Sequence, residues 1–223
     1  MFLGHFGLGL AGKRAAPGVS LGTLFLATQW ADLLFFPLAL VGLEHFRLRP
    51  RATRVTPLEF PDYPISHSLL GVVIWGMLLG GLYLLFRRNR AGALILALGV
   101  VSHWFLDVLM HRPDMPVLPR GPYLGLQLWN SVPLTLAAEA AVFGLGIAVY
   151  LRTTRAVDRT GTWALWSLLV FLALIWIASL FAPPPSDERA VEYSGLALWL
   201  FVPWGWWIDR HRAIVGGHGE ARR

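Results

Sequence analysis

Long apolar runs alternate with short polar segments along most of the chain. Most runs hold about 20 residues, the length that an α-helix needs to cross the hydrocarbon core of a bilayer. The pattern predicts an all-α, polytopic membrane helix bundle with about six spanning helices and a short N-terminal apolar segment. We place the spans at residues 19–43, 66–86, 91–110, 129–151, 162–182 and 193–208.

The sequence around these runs predicts several local features. Residues 1–12 are apolar but too short to span as a helix. Pro37 should kink the first span, and Ser66 is a candidate N-cap at the entry to the second. The short basic connection 87–90 predicts that the second and third spans form an antiparallel pair.

We interpret residues 1–208 as a single transmembrane bundle. Its polar residues of interest lie within 1–151, and 162–208 would supply accessory spans that serve as scaffold. The remaining segment, 209–223, is charged and contains glycine, so we expect a mobile tail.

Composition supports the membrane interpretation. Hydrophobic residues make up 56% of the 223 positions and charged residues only 14%, against about 25% in a typical soluble domain. The chain has no cysteine, which excludes disulfides and thiolate metal sites. The net charge of +6 resides in short arginine blocks between apolar runs, which indicates membrane orientation rather than nucleic-acid binding.

The distribution of basic residues predicts which ends of the spans are cytoplasmic. One set of ends carries the larger group: Lys13, Arg14, Arg87, Arg88, Arg90, Arg152, Arg155, Arg159, Arg210, Arg212, Arg222 and Arg223. The other set carries fewer: Arg47, Arg49, Arg51, Arg54, Arg112, Arg120 and Arg189. The first set is therefore predicted to be cytoplasmic, in the inner (plasma) membrane of a bacterium.

The end of the third span carries a regular polar stripe. His103, Asp107 and His111 are each four residues apart, so a helix places them on one face with a rise of roughly 6 Å between neighbours. An imidazole and a carboxylate at this spacing can hold one cation between them. A hydrogen bond between helix neighbours is the simpler alternative.

Two further acids lie inside predicted spans, Asp32 in the first and Glu139 in the fourth. An ionisable group at this depth costs roughly 2.5–3.5 kcal/mol, so both should face the bundle and find partners. No lysine or arginine lies inside a span to pair with them. The alternatives are histidines, protons, water or a metal ion, or roles in a proton relay or interhelical hydrogen bonds.

Span direction predicts that the polar groups converge in the outer half of the bundle. The candidate metal ligands are His5, Asp32, His67, His103, Asp107 and Glu139. Histidine and carboxylate ligands without cysteine suit a divalent metal, most naturally zinc, with manganese or iron as alternatives. These residues could hold one or two ions. Ser68, His111 and Asn130 are candidate substrate contacts, although we favour a solvated position for His111 at the membrane surface.

The order of these motifs resembles the YdjM-like family of membrane-bound metal-dependent hydrolases, which is distantly similar to the zinc-dependent bacterial phospholipases C. The matching pieces are Gly4-His5, Trp30-Ala31-Asp32, Ser66-His67-Ser68 and His103-Trp104-Phe105-Leu106-Asp107. The resemblance covers about residues 1–111, and Trp129-Asn130-Ser131 with Glu139 extends it. It implies a metal-dependent hydrolase with these residues as ligands.

The sequence thus predicts a membrane hydrolase that acts on a phosphoester or lipid head group through metal-activated water. Its partners would be membrane lipid and a small-molecule or lipid substrate, with no nucleic acid. Asp32 or Glu139 would be the general base if it is not a ligand. The alternatives are a proton- or cation-coupled transporter or channel, and a non-catalytic structural membrane protein.

Overall fold

The computed structural model describes residues 1–216, and its architecture is mostly helical. In this part of the chain the α-helices are α1 (Leu3–Ala15), α2 (Leu21–Thr28), α3 (Trp30–Leu40), α4 (Pro64–His67), α5 (Leu69–Arg87), α6 (Arg90–Met110), α7 (Val132–Thr153), α8 (Arg159–Phe181), α9 (Glu188–Leu196) and α10 (Phe201–Arg210). Short 3-10 helices occupy Leu128–Asn130 and Ala197–Leu200.

Three short antiparallel strand pairs connect parts of the bundle. They are β1 (His45–Leu48) with β2 (Leu58–Asp62), β3 (Met115–Pro116) with β4 (Tyr123–Leu124), and β5 (Thr154–Ala156) with β6 (Arg212–Ile214). The first two pairs lie in the loops at the end of the molecule where α5 and α7 begin and α6 ends. All of these strands are short and lie outside the long helices. The predicted all-α polytopic bundle is therefore confirmed.

Four helices of the described chain, α5 to α8, are long and apolar enough to cross a membrane. The bent pair α2–α3 makes a fifth crossing if it is counted as one span. Many large apolar side chains on α5 remain exposed, including Met77, Leu82, Leu85 and Phe86. Such a surface is unfavourable in water and is suited to contact with lipid chains.

The predicted sixth span, 193–208, is wrong as a single helix. This segment contains the end of α9, a 3-10 turn and most of α10. Pro203 lies in the first turn of α10, a position where its missing N–H is tolerated and where it favours a new helix start. A straight helix over 193–208 would also be only about 24 Å long, shorter than a hydrocarbon core of about 30 Å.

The bend in the first predicted span also lies elsewhere than expected. The chain turns by 59° between α2 and α3, at Gln29, and α3 continues through Pro37. Pro37 leaves the carbonyl of Leu33 without its helical donor. The indole N–H of Trp199 donates to that carbonyl at 3.2 Å, so a tertiary contact replaces the lost bond.

The short N-terminal segment forms α1, which lies in the middle of the bundle. Its Phe6 and Leu10 side chains are fully enclosed in a core cluster with residues of α2, α7, α8 and α10. At the far end of α1, Lys13 pairs with Asp209 at 2.7 Å. The segment is short, as predicted, and is buried among the longer helices.

Glycines allow α1 and α7 to approach closely. A Cβ at Gly146 would lie 2.1 Å from the carbonyl oxygen of Gly7, and a Cβ at Gly7 would lie 2.6 Å from the carbonyl oxygen of Val142. Both distances are far below any normal contact. Backbone therefore packs on backbone here, and the first half of α1 is held beside the middle of α7.

The predicted antiparallel pairing of the second and third spans agrees with the contact between α5 and α6. Arg88 adopts the left-handed conformation with φ 50°, and the Asn89 side chain accepts the Gly92 N–H at 3.0 Å as the N-cap of α6. Gly76 and Gly80 of α5 pack on the backbone of Ala97 and Ala93.

Ordered structure extends further toward the C-terminus than the predicted tail boundary allowed. Helix α10 ends at Arg210, and β6 then pairs with β5. Backbone hydrogen bonds therefore hold the first part of the segment that we predicted to be mobile. The rest of that prediction, residues 217–223, lies outside the described residues.

We expect Gly146→Ala to destabilise the protein, because the new methyl group would clash with the backbone of Gly7. Overpacking of this kind costs about 1–3 kcal/mol. The measurement is thermal or denaturant unfolding in detergent. Gly144→Ala is the matched control, since Gly144 lies in the same helix with nothing within 4 Å of its added Cβ. Equal stability of the two variants would contradict the close crossing.

Candidate metal centre

Four side chains from three helices face one small space at the end of the bundle where α6 ends. Asp32 lies in the first turn of α3, and His67 is the last residue of α4. His103 and Asp107 lie one turn apart near the end of α6, on one face as the spacing predicted. We call Asp32, His67, His103 and Asp107 the donor ring.

The Nε2 atom of each histidine in the donor ring lies within 3.8 Å of an oxygen of both carboxylates. Asp32 Oδ1 lies 3.5 Å from His67 Nε2 and 3.7 Å from His103 Nε2. Asp107 Oδ2 lies 3.8 Å from His67 Nε2 and 3.2 Å from His103 Nε2. Ligands bound at 2.0–2.2 Å to a tetrahedral ion are separated by about 3.4 Å, which is close to these four distances.

His103 is oriented with one ring nitrogen toward the ring. Its Nδ1 lies 2.8 Å from the carbonyl oxygen of Thr28, which can only accept, so Nδ1 carries the hydrogen. Thr28 is the last residue of α2, where carbonyls lose their helical donors. In the neutral imidazole, His103 Nε2 is then the lone-pair nitrogen, and it is buried without a hydrogen-bond partner among the described residues. A buried unpaired nitrogen that faces two carboxylates fits a cation ligand.

His67 has the same orientation. Its Nδ1 lies 2.7 Å from Ser66 Oγ, and its Nε2 faces Asp32 and Asp107. The imidazole packs at right angles to the Phe35 ring, with 5.5 Å between centroids. His67 is therefore buried, and its contacts with Ser66 and Phe35 hold the ring in place.

His5 joins the cluster through Asp107. Its Nε2 lies 3.1 Å from Asp107 Oδ1, and its ring stacks on His103 with 3.7 Å between centroids. Because the carboxylate accepts, His5 Nε2 donates in this arrangement. The amino group of Met1 contacts the same carboxylate oxygen. His5, His103 and Asp107 form a second potential ligand group, which shares His103 with the group formed by Asp32, His67 and His103.

Glu139 lies beside the cluster but in neither ligand group of the described residues. Its two carboxylate oxygens accept the backbone N–H groups of Phe2, at 2.7 Å, and Gly4, at 2.9 Å. These N–H groups are at the start of α1, where helical acceptors are lacking. The geometry thus gives Glu139 the role of a cap for α1, and its predicted role as a ligand or base stays a prediction.

His111, for which we favoured a solvated position, is buried. Its Nε2 lies 4.0 Å from Asp107 Oδ2, and its Nδ1 lies 3.1 Å from Asp114 Oδ1. Trp129 covers the ring with 4.3 Å between centroids. The solvated interpretation is wrong because the loops after α6 fold over the helix end. This burial lowers the pKa of His111 below its usual value.

The other two predicted substrate contacts are differently placed. Ser68 is the N-cap of α5: its Oγ accepts the Gly71 N–H at 2.9 Å and donates to the Pro64 carbonyl at 2.6 Å. Ser68 rather than Ser66 is therefore the cap of this span. Asn130 is exposed, and its amide donates to Gln127 Oε1 at 3.1 Å. Neither side chain is directed into the donor ring by these contacts.

Sequence reasoning missed two acids that support the cluster. Glu44 is 1% exposed and contacts Ser66, next to His67. Asp114 contacts His111. Both acids follow the ends of apolar runs and precede loops with arginines, so their pattern was that of solvated loop charge. The only signal was their position at the same membrane face as the stripe.

The ring is open on the Asp32 side. The Asp32 side chain is 24% exposed, whereas the side chains of His67 and Asp107 are 5% and 3% exposed. His103 is fully enclosed. A molecule from outside would therefore meet Asp32 first.

Comparison with known proteins gives one match. The family model described as YdjM inner membrane protein matches residues 64–184, more than half of the chain. The match includes His67, His103 and Asp107 and leaves out His5 and Asp32, whereas the resemblance that we noted extends over about 1–111. No curated protein and no solved structure matches the chain.

Proposed function

The chain belongs to the YdjM inner membrane protein family, and within that family we propose that it is a metal-dependent membrane hydrolase for phosphoesters, with lipid head groups as the favoured substrates. The observation that carries the proposal is the donor ring, in which two histidines direct their Nε2 atoms at the same space as two carboxylates. The helices give the membrane setting.

The donor ring is better suited to binding a divalent cation than to direct interactions among its own side chains. The carboxylates of Asp32 and Asp107 face the same two imidazole nitrogens, and like charges in one site repel unless a positive charge lies between them. The buried His103 Nε2 lacks a hydrogen-bond partner among the described residues, and a buried polar atom without a hydrogen bond is costly. Nitrogen and oxygen donors without thiolate favour zinc, with manganese or iron as alternatives.

One cation per chain is the stoichiometry that the geometry favours. The two potential ligand groups share His103, whose Nδ1 is already bound to Thr28. One free nitrogen cannot serve two separate ions. Asp32, His67, His103 and Asp107 would bind the ion, and His5 would orient Asp107 by hydrogen bonding to its other oxygen.

A bound divalent cation would supply a nucleophilic water at neutral pH and positive charge for the phosphate oxygens. The protein would contribute access and shape. Asp32, at the open side, lies where it could also accept a proton from the attacking water. His111, Trp129 and the loops over them would exclude bulk water from the closed side.

A lipid head group is favoured because of where the ring lies. It is formed at helix ends, beside the loops, and its surroundings are apolar helices exposed to lipid. A phosphoester at the head-group level of the bilayer could reach such a site without leaving the membrane. Hydrolysis there would break the bond between phosphorus and the oxygen of the lipid backbone: water would supply the new oxygen on phosphorus and a proton for the lipid alcohol, and the phosphorylated head group would be released.

The first prediction from the proposed function is that purified protein binds about one zinc ion per chain, because the two ligand groups share His103. His103→Asn should lose this binding, because its free Nε2 is replaced by an amide. The measurement is metal analysis and competition with a chelating dye in detergent. His45→Asn is the control, since His45 is exposed and lies 3.8 Å from Asp62. A parent protein that takes up no transition metal would overturn the proposal.

The second prediction concerns activity. Zinc-loaded protein in phospholipid vesicles should release a water-soluble phosphorylated product, followed by phosphorus NMR. Asp32→Asn should reduce this rate by at least about 100-fold, as expected when a general base or ligand is lost. His45→Asn should keep it. A parallel assay with a soluble aryl phosphoester separates lipid from small-molecule substrates. Zinc binding without hydrolysis of either would contradict the hydrolase proposal.

The third prediction concerns sidedness, for which we propose that the ring lies in the outer half of the inner membrane. The chain has no cysteine, so single-cysteine variants report position directly. A membrane-impermeant maleimide should label Arg120→Cys in spheroplasts and should label Val157→Cys only after permeabilisation. Both side chains are exposed, and they lie at opposite ends of the bundle. The reverse labelling would place the ring on the cytoplasmic side.

A further inference from the structure

Glu44 makes an unusually complete set of contacts for a residue in an arginine-rich loop. Its Oε1 accepts the backbone N–H groups of Ile65 and Ser66, at 2.7 and 2.8 Å. Its Oε2 accepts the Ser66 hydroxyl at 2.5 Å. These N–H groups are at the N-terminal turn of α4, where helical acceptors are absent. Glu44 therefore caps the single turn that ends in His67.

The hydrogen positions along this chain of contacts follow from the acceptor at its end. The Ser66 hydroxyl has one hydrogen, and it is given to the Glu44 carboxylate, which accepts. Ser66 Oγ can then only accept from His67 Nδ1, 2.7 Å away. Neutral His67 consequently carries its hydrogen on Nδ1 and leaves Nε2 as a lone pair.

We infer that Glu44 is a positioning residue that acts through Ser66 to select the His67 tautomer with a free Nε2. That nitrogen faces Asp32 and Asp107 across the donor ring. The inference rests on the proposed function in one respect, namely that the ring takes a divalent cation. It extends the support of the site to a segment outside the matched family region, since Glu44 precedes residue 64.

His67 is in greater need of this support than His103. A backbone carbonyl, which cannot donate, sets the tautomer of His103. The neighbour of His67 is a hydroxyl, which can donate or accept. Ser66 alone would therefore permit either tautomer, and the carboxylate behind it decides between them.

Glu44→Gln tests this logic with little change of shape. The amide oxygen can still accept both backbone N–H groups, while the NH₂ group replaces Oε2 and donates to Ser66 Oγ. The Ser66 hydrogen would then be directed at His67 Nδ1, which must become an acceptor. The His67 hydrogen would move to Nε2, where it blocks metal binding.

The experiment has two readouts on the full chain in detergent. Nitrogen-15 NMR of histidine-labelled, metal-free protein reports the His67 tautomer, with His67→Gln used to assign its signals among the seven histidines. Competition with a chelating dye reports the zinc affinity. We expect Glu44→Gln to shift His67 to the Nε2–H form and to weaken zinc binding by about 10- to 100-fold, as for other outer contacts of metal-bound histidines.

Glu59→Gln is the matched control, because Glu59 lies in the same outer loop but pairs with Arg49 at 3.0 Å and Arg112 at 3.4 Å. It should leave both readouts unchanged. Ser66→Ala is a second variant that keeps the two backbone contacts of Glu44. It should remove the preference for the Nδ1–H form, because the contact that links Glu44 to His67 is lost. A retained preference in Ser66→Ala would contradict the inference even if Glu44→Gln does not fold.

An unchanged His67 tautomer in Glu44→Gln would overturn the inference, as would parent-like zinc affinity in that variant. A parent protein that binds no zinc would instead overturn the proposed function. The tautomer measurement on metal-free protein still tests the role of Glu44 in that case, so the two failures are distinguishable.

Discussion

The burial of the Asp107 carboxylate is the constraint on which the rest of the site depends. A carboxylate enclosed in an apolar bundle is stable only if partners replace the water that it has lost. One Asp107 oxygen has donors in His5 of α1 and the amino group of Met1, and the other oxygen faces His67 and His103 in the donor ring. The packing of α1, α4 and α6 must therefore satisfy this one group together.

The backbone makes this convergence possible through close approaches and breaks. Glycines at the α1–α7 crossing bring the start of α1 against α7, where Glu139 accepts its first N–H groups. The break between α2 and α3 frees the Thr28 carbonyl for His103 and carries Asp32 to the open side of the ring. Irregular backbone at membrane depth is tolerated where it is buried in protein, and here it supplies both a contact and a donor.

The two histidines of the donor ring have the same orientation, but different neighbouring groups set it. In both, Nδ1 is bound outside the ring and Nε2 faces inward. A carbonyl determines the polarity at His103, and a serine backed by a carboxylate determines it at His67. Under the proposed function, fixed orientation of this type would prepare the donor ring for a cation. It also explains why polar residues outside the spans, such as Glu44, belong to the site.

The membrane class, the antiparallel α5–α6 pair and the one-face spacing of His103 and Asp107 follow from local sequence, because helix period and bilayer thickness act locally. The sequence also indicated that Asp32 must face inward, since a lipid-facing carboxylate is too costly. Tertiary structure decided what local rules cannot. Trp199 replaces the donor lost at Pro37, the loops bury His111, and the start of α1 occupies Glu139. Glu44 is connected with the site only through the contact between distant segments. The local sequence does not distinguish a loop acid that binds Ser66 from a solvated one.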